Sequence, residues 1–278
     1  MDKPYIGLTG VTNPLEAEVV AETFDSHQVE IYNQSYSPMI GVLVSGRTLK
    51  DVPPRKLLTP NIKYPNWRLL KSIFDQIKDR TFTMIHYTTK ERDTLPEQMV
   101  HLFKELYKES NEGELYETGA CRAVQLNVPW PQPASLERIL KEFPEMKIVL
   151  QLSRTVMGEM FLDELARRVS EYNGLVACAL IDPSGGRGIE FDPKQSVKVY
   201  GAIKEKSPDL MLGFAGGFNG RNVLDKVVQL RKMLGEERFC VDAEGGLRNQ
   251  NQYIDCLDLD KIRGYVHGAV KAFSCPLE

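Results

Sequence analysis

Met211 to Arg248 reads MLGFAGGFNGRNVLDKVVQLRKMLGEERFCVDAEGGLR. Met211–Phe214 is a short apolar run that ends in Ala215-Gly216-Gly217. Val223, Val227, Val228 and Leu230 then recur at helical spacing, and a second apolar run, Phe239–Val241, leads into Asp242-Ala243-Glu244-Gly245-Gly246. The succession is a βαβ unit whose two strands end alike. Glycines let a backbone approach an anion closely, and a helix start offers free N–H groups at the positive end of its dipole.

Working outward, six more apolar runs precede this unit: Tyr5–Leu8, Ile40–Val44, Thr81–His86, Ala123–Asn127, Ile148–Leu152 and Leu175–Ile181. Most are continuously apolar, as parallel strands covered on both faces must be. Between them lie helical stripes, Leu69, Leu70, Ile73, Phe74 and Ile77 in one, Met99, Leu102, Phe103 and Leu106 in another. Eight βα units over 278 residues predict one α/β domain, residues 1–278, folded as a (β/α)8 TIM barrel. A doubly wound open sheet is the alternative. The connections Ser45 to Asn66 and Tyr87 to Pro96 are long, so enlarged loops are expected after strands two and three, as lids or as surface decoration.

Hydrophobic residues make up 42% and charged residues 26%, so a packed globular core is expected. The formal net charge is −3 with both signs spread along the chain, which argues against a nucleic-acid partner. No apolar run approaches the ~18 residues of a membrane helix, and no signal-peptide pattern precedes the first strand. The cysteines, Cys121, Cys178, Cys240, Cys256 and Cys275, are odd in number and match no zinc spacing. Free thiols in a reducing compartment, and hence a cytoplasmic location, are the expectation. No metal and no cofactor is implied. A homo-oligomer is compatible with the sequence, which does not set the oligomeric state.

In a barrel, the residues just after each strand share one face. The glycine pairs after strands seven and eight predict a phosphate site there, with Gly216, Gly217, Asn219, Gly245, Gly246 and Arg248 as its residues. Each pair alone would be only a tight turn. Asp182 ends strand six ahead of Pro183-Ser184-Gly185-Gly186, where a partly desolvated carboxyl suits general-acid work; Asp-Pro also opens ordinary turns. His86 ends strand three, as an acid/base group at the barrel mouth or a structural histidine. Trp130 follows strand four and either lines the ligand site or covers the rim. No lysine stands at a strand's C-terminal end, which disfavours Schiff-base chemistry.

Ile6-Gly7-Leu8-Thr9, Val124-Gln125-Leu126-Asn127, Leu180-Ile181-Asp182 with Phe191-Asp192, Gly216-Gly217-Phe218-Asn219 with Asn222-Val223, and Val241-Asp242 fall in this order along nearly the whole chain. In these motifs the chain resembles phosphoribosylanthranilate isomerase, a single (β/α)8 barrel that turns a phosphoribosyl amine into a ketose by an Amadori rearrangement. The resemblance implies Asp182 as the general acid on the ring oxygen, and phosphate held at Gly216, Gly217 and Gly246. It implies Arg47, loosely, as the partner of the substrate's carboxylate. Three positions depart from the family. The base, a cysteine in the family, is Thr9 here, and a hydroxyl is no base without an activating neighbour. A serine pair is replaced by Glu244-Gly245; an inward glutamate would repel phosphate by ~1 kcal/mol or more. Glu244 could instead point away or serve as a displaced base, with Arg248 or Arg221 offsetting its charge. A fourth-strand histidine is Asn127, a substrate-binding candidate.

The expectation is an isomerase-like barrel acting on a phosphorylated sugar or related metabolite, with Asp182 as acid and Glu244 or His86 as base. The competing expectation is a catalytically silent relative that binds a phosphorylated ligand as a sensor or partner protein.

Overall fold

The computed structural model describes residues 3–33, 35–50, 63–107, 113–158, 160–184, 192–250 and 255–276. Eight strands, β1 (Tyr5–Thr9), β2 (Ser37–Ser45), β3 (Phe82–Thr88), β4 (Ala123–Leu126), β5 (Lys147–Ser153), β6 (Cys178–Asp182), β7 (Met211–Ala215) and β8 (Phe239–Ala243), pair in sequence order and all in parallel. The barrel closes where β8 meets β1, with Val241, Asp242 and Ala243 opposite Ile6, Gly7 and Leu8. Each expected apolar run carries one strand. β6 starts at Cys178 rather than Leu175, because a turn through Gly174 at φ 82° keeps the preceding residues out of the sheet. β4 stops at Leu126, one residue short of Asn127.

Helices cover the outside: α1 (Pro14–Asp25), α2 (Gln28–Asn33), α3 (Leu70–Asp75), α4 (Leu95–Val100), α5 (Pro133–Glu142), α6 (Arg154–Gly158), α7 (Leu162–Ser170), α8 (Pro193–Lys206), α9 (Val223–Leu234) and α10 (Leu259–Ser274). The caps explain several starts. Asn13 accepts from the N–H of Glu16, Asp192 from those of Lys194 and Gln195, and Asp258 from those of Asp260 and Lys261. Each supplies an acceptor to otherwise unpaired first-turn donors, and proline follows directly in α1 and α8. The stripes Leu70, Ile73, Phe74, Ile77 and Met99, Leu102, Phe103 are buried against the barrel. Leu69 departs from its stripe and is 39% exposed, because it belongs to the 3-10 turn Trp67–Leu69 ahead of α3. The connection after β3 is partly ordered as a 3-10 turn, Arg92–Thr94, that leads into α4. Of the connection after β2, residues 51–62 lie outside the described residues.

The period of two along each strand layers the barrel interior. Its floor is apolar, filled by Tyr5, Met39, Met84, Ala123, Val149, Cys178, Leu180 and Cys240. Nearer the C-terminal strand ends, the buried inward polar residues are Thr9, His86, Gln125, Gln151, Asp182 and Asp242. Burying this many polar groups at one end of an otherwise apolar core is unfavourable unless they bond one another or a ligand, so this end is where a site belongs. Cys121, Cys178 and Cys240 are buried free thiols, and Cys256 and Cys275 are half-buried ones. Among the described residues no helix is long and apolar enough to cross a membrane.

Candidate functional site

At the C-terminal end of the barrel lies a cavity of about 210 Å³. Every strand except β1 reaches it with its end or with the residues just after: Leu43, His86, Thr88, Gln125, Asn127, Gln151, Asp182, Ser184, Ala215, Gly216, Gly217, Asp242, Glu244 and Gly245. Lys63 and Tyr64 enter from the long connection after β2.

Asp182 ends β6 and is buried. Its Oδ2 accepts from Gln151 Nε2 at 2.6 Å, and its Oδ1 accepts from the Ser184 N–H at 3.0 Å and the Ser184 hydroxyl at 2.8 Å. Gly216, at φ 105°, packs directly on this pair: a Cβ there would stand 2.9 Å from Asp182 Oδ1 and 3.0 Å from Ser184 Oγ. Only glycine suits both that conformation and that contact. Ser184 is the last described residue before 185–191, where the remaining glycines of the expected loop lie outside the described residues.

On the opposite wall a second cluster joins β1, β3 and β8. Thr9 Oγ1 lies 3.0 Å from His86 Nε2 and donates to Asp242 Oδ1 at 3.4 Å, while His86 Nε2 is 3.9 Å from Asp242 Oδ2. Since the Thr9 proton goes to Asp242, the Thr9 oxygen is left to accept the Nε2–H of His86. Burial pushes the His86 imidazole down to about 3, aided by the charge of Lys63, so the ring is neutral. Asp242 behaves oppositely. Burial raises its carboxyl well above the usual range, and the nearby charges of Glu244 and Asp182 raise it further, against smaller opposing bonds from Thr9 and the Ala243 backbone. Gly41 of β2 makes room for the cluster: a Cβ there would stand 2.5 Å from Thr9 Oγ1 and 3.0 Å from His86 Nε2.

Glu244 faces the cavity, and Lys63 Nζ is in ion-pair contact with its Oε1. Both side chains are mostly covered, 20% and 22% exposed, which makes the pair stronger than a surface one. The turns after β7 and β8 interlock. Gly217 has φ 71°, and its carbonyl accepts from the side-chain amides of Asn219 and Asn222. Gly246 lies so close to the Phe218 carbonyl that a Cβ would stand 2.2 Å from its oxygen.

Seven of the residues nominated from sequence therefore share the cavity wall: Asp182, His86, Glu244, Asn127, Gly216, Gly217 and Gly245. Thr9, Arg47, Asn219, Gly246 and Arg248 do not line it. Thr9 is fully buried behind His86 and Asp242. Asn219 shapes its own turn. Arg248 is spoken for: Nε bonds Asp255 Oδ1 at 2.5 Å, Nη1 the Gly10 carbonyl at 3.0 Å and Nη2 the Asp255 carbonyl at 2.9 Å. It thereby pins the β1 turn to the antiparallel ribbon β9 (Arg248–Gln250) and β10 (Asp255–Leu257), and it is Lys63 that offsets Glu244. Trp130 covers the rim, with the Arg168 guanidinium 4.4 Å over its ring and Tyr172 stacked at 6.3 Å.

Sequence reasoning did not nominate Asp242, Gln125, Gln151 or Lys63. The first three carried a signal, a single polar side chain at an inward position of an apolar strand. Lys63 carried none, since its place depends on the path of a long loop. Among the described residues no group of histidine, cysteine and carboxylate side chains is arranged to hold a metal ion.

No family model and no curated protein matches the chain in sequence. Solved structures match it in fold. Phosphoribosyl anthranilate isomerase from Thermotoga maritima aligns over 97% of this chain and 98% of its own, at 16% identity and TM-score 0.60. The isomerase of the same name from Thermus thermophilus covers 96% and 98%, at 14% identity and TM-score 0.58. The 3-keto-L-gulonate-6-phosphate decarboxylase of Vibrio cholerae covers 98% and 97%, at 12% identity and TM-score 0.54. At such identities the likeness is one of fold.

Proposed function

We propose that this chain is an acid–base enzyme of the isomerase kind, acting on a small phosphorylated sugar or related phosphometabolite. The observation that carries the reading is the unequal loading of two carboxyls that line one cavity. Asp182 accepts three hydrogen bonds, whereas Asp242 is buried with a raised proton affinity. Carboxyls held in such different environments divide the acid and base parts between them. Asp242 then holds the proton to be delivered to a substrate oxygen, and Asp182 is the acceptor for a proton leaving carbon. This exchanges the part the sequence reading gave Asp182, for a physical reason: its oxygens already receive donors. His86, neutral and with its Nε2–H given to Thr9, holds the cluster in place and is no strong base.

Gly216, Gly217 and Gly245 support a phosphate position at the ends of β7 and β8, with Lys63 as its cation. Lys63 then trades Glu244 for the ligand. The fold neighbours, a phosphoribosyl anthranilate isomerase and a 3-keto-L-gulonate-6-phosphate decarboxylase, are both named for phosphorylated compounds, which agrees with this reading.

The test is a panel of phosphorylated metabolites, screened by thermal shift and then by NMR in D2O. A ligand at a hundredfold its Kd should stabilise by about 2.7 kcal/mol. A substrate should exchange a carbon-bound proton for deuterium, and Asp182→Asn should slow that by ~10²–10⁴. Binding without exchange of any proton would favour the silent binder instead, a reading that the burial of Thr9 beneath the cavity supports.

A further inference from the structure

The inward side chains of β4, β5 and β6 form a hydrogen-bond chain with one loose end. Gln125 Nε2 donates to Gln151 Oε1 at 3.2 Å, and Gln151 Nε2 donates to Asp182 Oδ2. Gln125 is 2% exposed and lines the cavity, yet among the described residues no donor reaches its Oε1. Buried amide oxygens are seldom left this way without a purpose.

The direction of the chain is imposed from its far end. The Ser184 N–H can only donate, so Asp182 Oδ1 accepts. Gln151 turns its NH2 to the other oxygen, Oδ2, at 2.6 Å. The Gln151 oxygen then faces Gln125, which must offer its own NH2 in turn. What remains is Gln125 Oε1, presented to the cavity as an acceptor.

We infer that Gln125 is a specificity-determining residue, whose Oε1 receives a hydrogen bond from a hydroxyl or amine of the ligand. This rests on the cavity being the ligand site proposed above, and it narrows the ligand. A donor-bearing group, such as a sugar hydroxyl, sits against β4. A ligand that places a carbonyl or carboxylate there meets an acceptor with no proton between them and is rejected. The chain also makes an unusual demand on Asp182→Asn. The new side chain must keep its oxygen toward the Ser184 N–H, so its NH2 faces Gln151. Gln151 then reverses, Gln125 reverses after it, and the cavity is offered a donor in place of an acceptor.

The first measurement needs no ligand. In the full chain with 15N-labelled glutamine, the Gln125 and Gln151 NH2 protons should exchange slowly with solvent. Asp182→Asn should speed exchange at Gln125 at least tenfold and leave Gln151 protected. Equal Gln125 rates in both proteins would overturn the inference. The second measurement titrates ribose 5-phosphate and inorganic phosphate into the wild type and Gln125→Met, whose melting midpoint is checked alongside. A loss of at least tenfold for ribose 5-phosphate, with inorganic phosphate within twofold, supports the role. Unchanged affinity for ribose 5-phosphate refutes it. If the wild type binds neither probe, it is the phosphate-ligand reading that falls, and amide exchange alone decides the polarity of the chain.

Discussion

Gly41→Ala tests the packing behind the Thr9–His86–Asp242 cluster. The added Cβ would stand 2.5 Å from Thr9 Oγ1 and 3.0 Å from His86 Nε2, well inside ordinary contact distance. Thr9 and His86 are both buried, so neither can swing into solvent to relieve the overlap. Overpacking of this kind costs ~1–3 kcal/mol. Pushing Thr9 off His86 forfeits a buried hydrogen bond worth ~0.5–1.5 kcal/mol. Against this, alanine restricts the unfolded chain and returns ~0.4–1 kcal/mol. The net is a destabilisation of about 2 kcal/mol, and with each kcal/mol worth about 2–4 °C in a large domain, the midpoint should fall by roughly 4–8 °C. Thermal unfolding followed by circular dichroism reads this directly. Thr9→Ala removes the atom most closely met, so the double variant should recover at least half of the loss. A midpoint within a degree of wild type in Gly41→Ala, or no recovery in the double variant, would show that β2 does not press on Thr9 as described.

The depressed His86 sets a pH window. The unfolded imidazole takes a proton near pH 6.5 and the folded one only near pH 3, so stability is full above pH 6.5 and is lost as the pH falls toward 3, by about 1.4 kcal/mol per unit at most. The His86 ring resonances should therefore not titrate between pH 5 and 7; a midpoint near 6.5 would place the ring in water. Asp242 has the opposite sign, because its folded carboxyl holds a proton more tightly than the unfolded one. Its strain is absent below the unfolded carboxylate range and grows as the pH rises through the folded value, so Asp242→Asn should raise the melting midpoint at neutral pH by a few degrees while slowing any proton exchange on substrate by ~10²–10⁴. A lower midpoint in that variant would make Asp242 a stabilising anion. Glu244→Gln should free Lys63 and remove a charge facing the phosphate position; a gain of ~1 kcal/mol corresponds to about fivefold tighter binding of inorganic phosphate by calorimetry. Weaker binding would mean that Glu244 supports the anion site.

Sequence by itself determined the barrel. Eight apolar runs separated by helical stripes leave few other ways to bury both faces of every strand, and the runs mark the strands to within a few residues. It also marked the strand ends that meet at one face, because the chain direction of a parallel barrel brings all C-terminal ends together whatever the details of packing. Tertiary structure alone decided which polar residues face inward and what each one bonds. Asp182 and Asp242 look alike in sequence, each closing an apolar run. Asp182 receives donors from Ser184 two residues on and from Gln151 of β5, whereas Asp242 meets deep burial and the charges of Glu244 and Asp182 against a longer bond from Thr9 of β1, and the partners Gln151, Thr9 and Asp182 are brought there only by the closed barrel. Lys63, which carried no sequence signal, took the place beside Glu244 that was expected of Arg248, for the same reason. A long cationic side chain goes to whichever carboxylate the closed fold brings near, and proximity across 181 positions, from Lys63 to Glu244, is written in the closure of the barrel and not in any local run of residues.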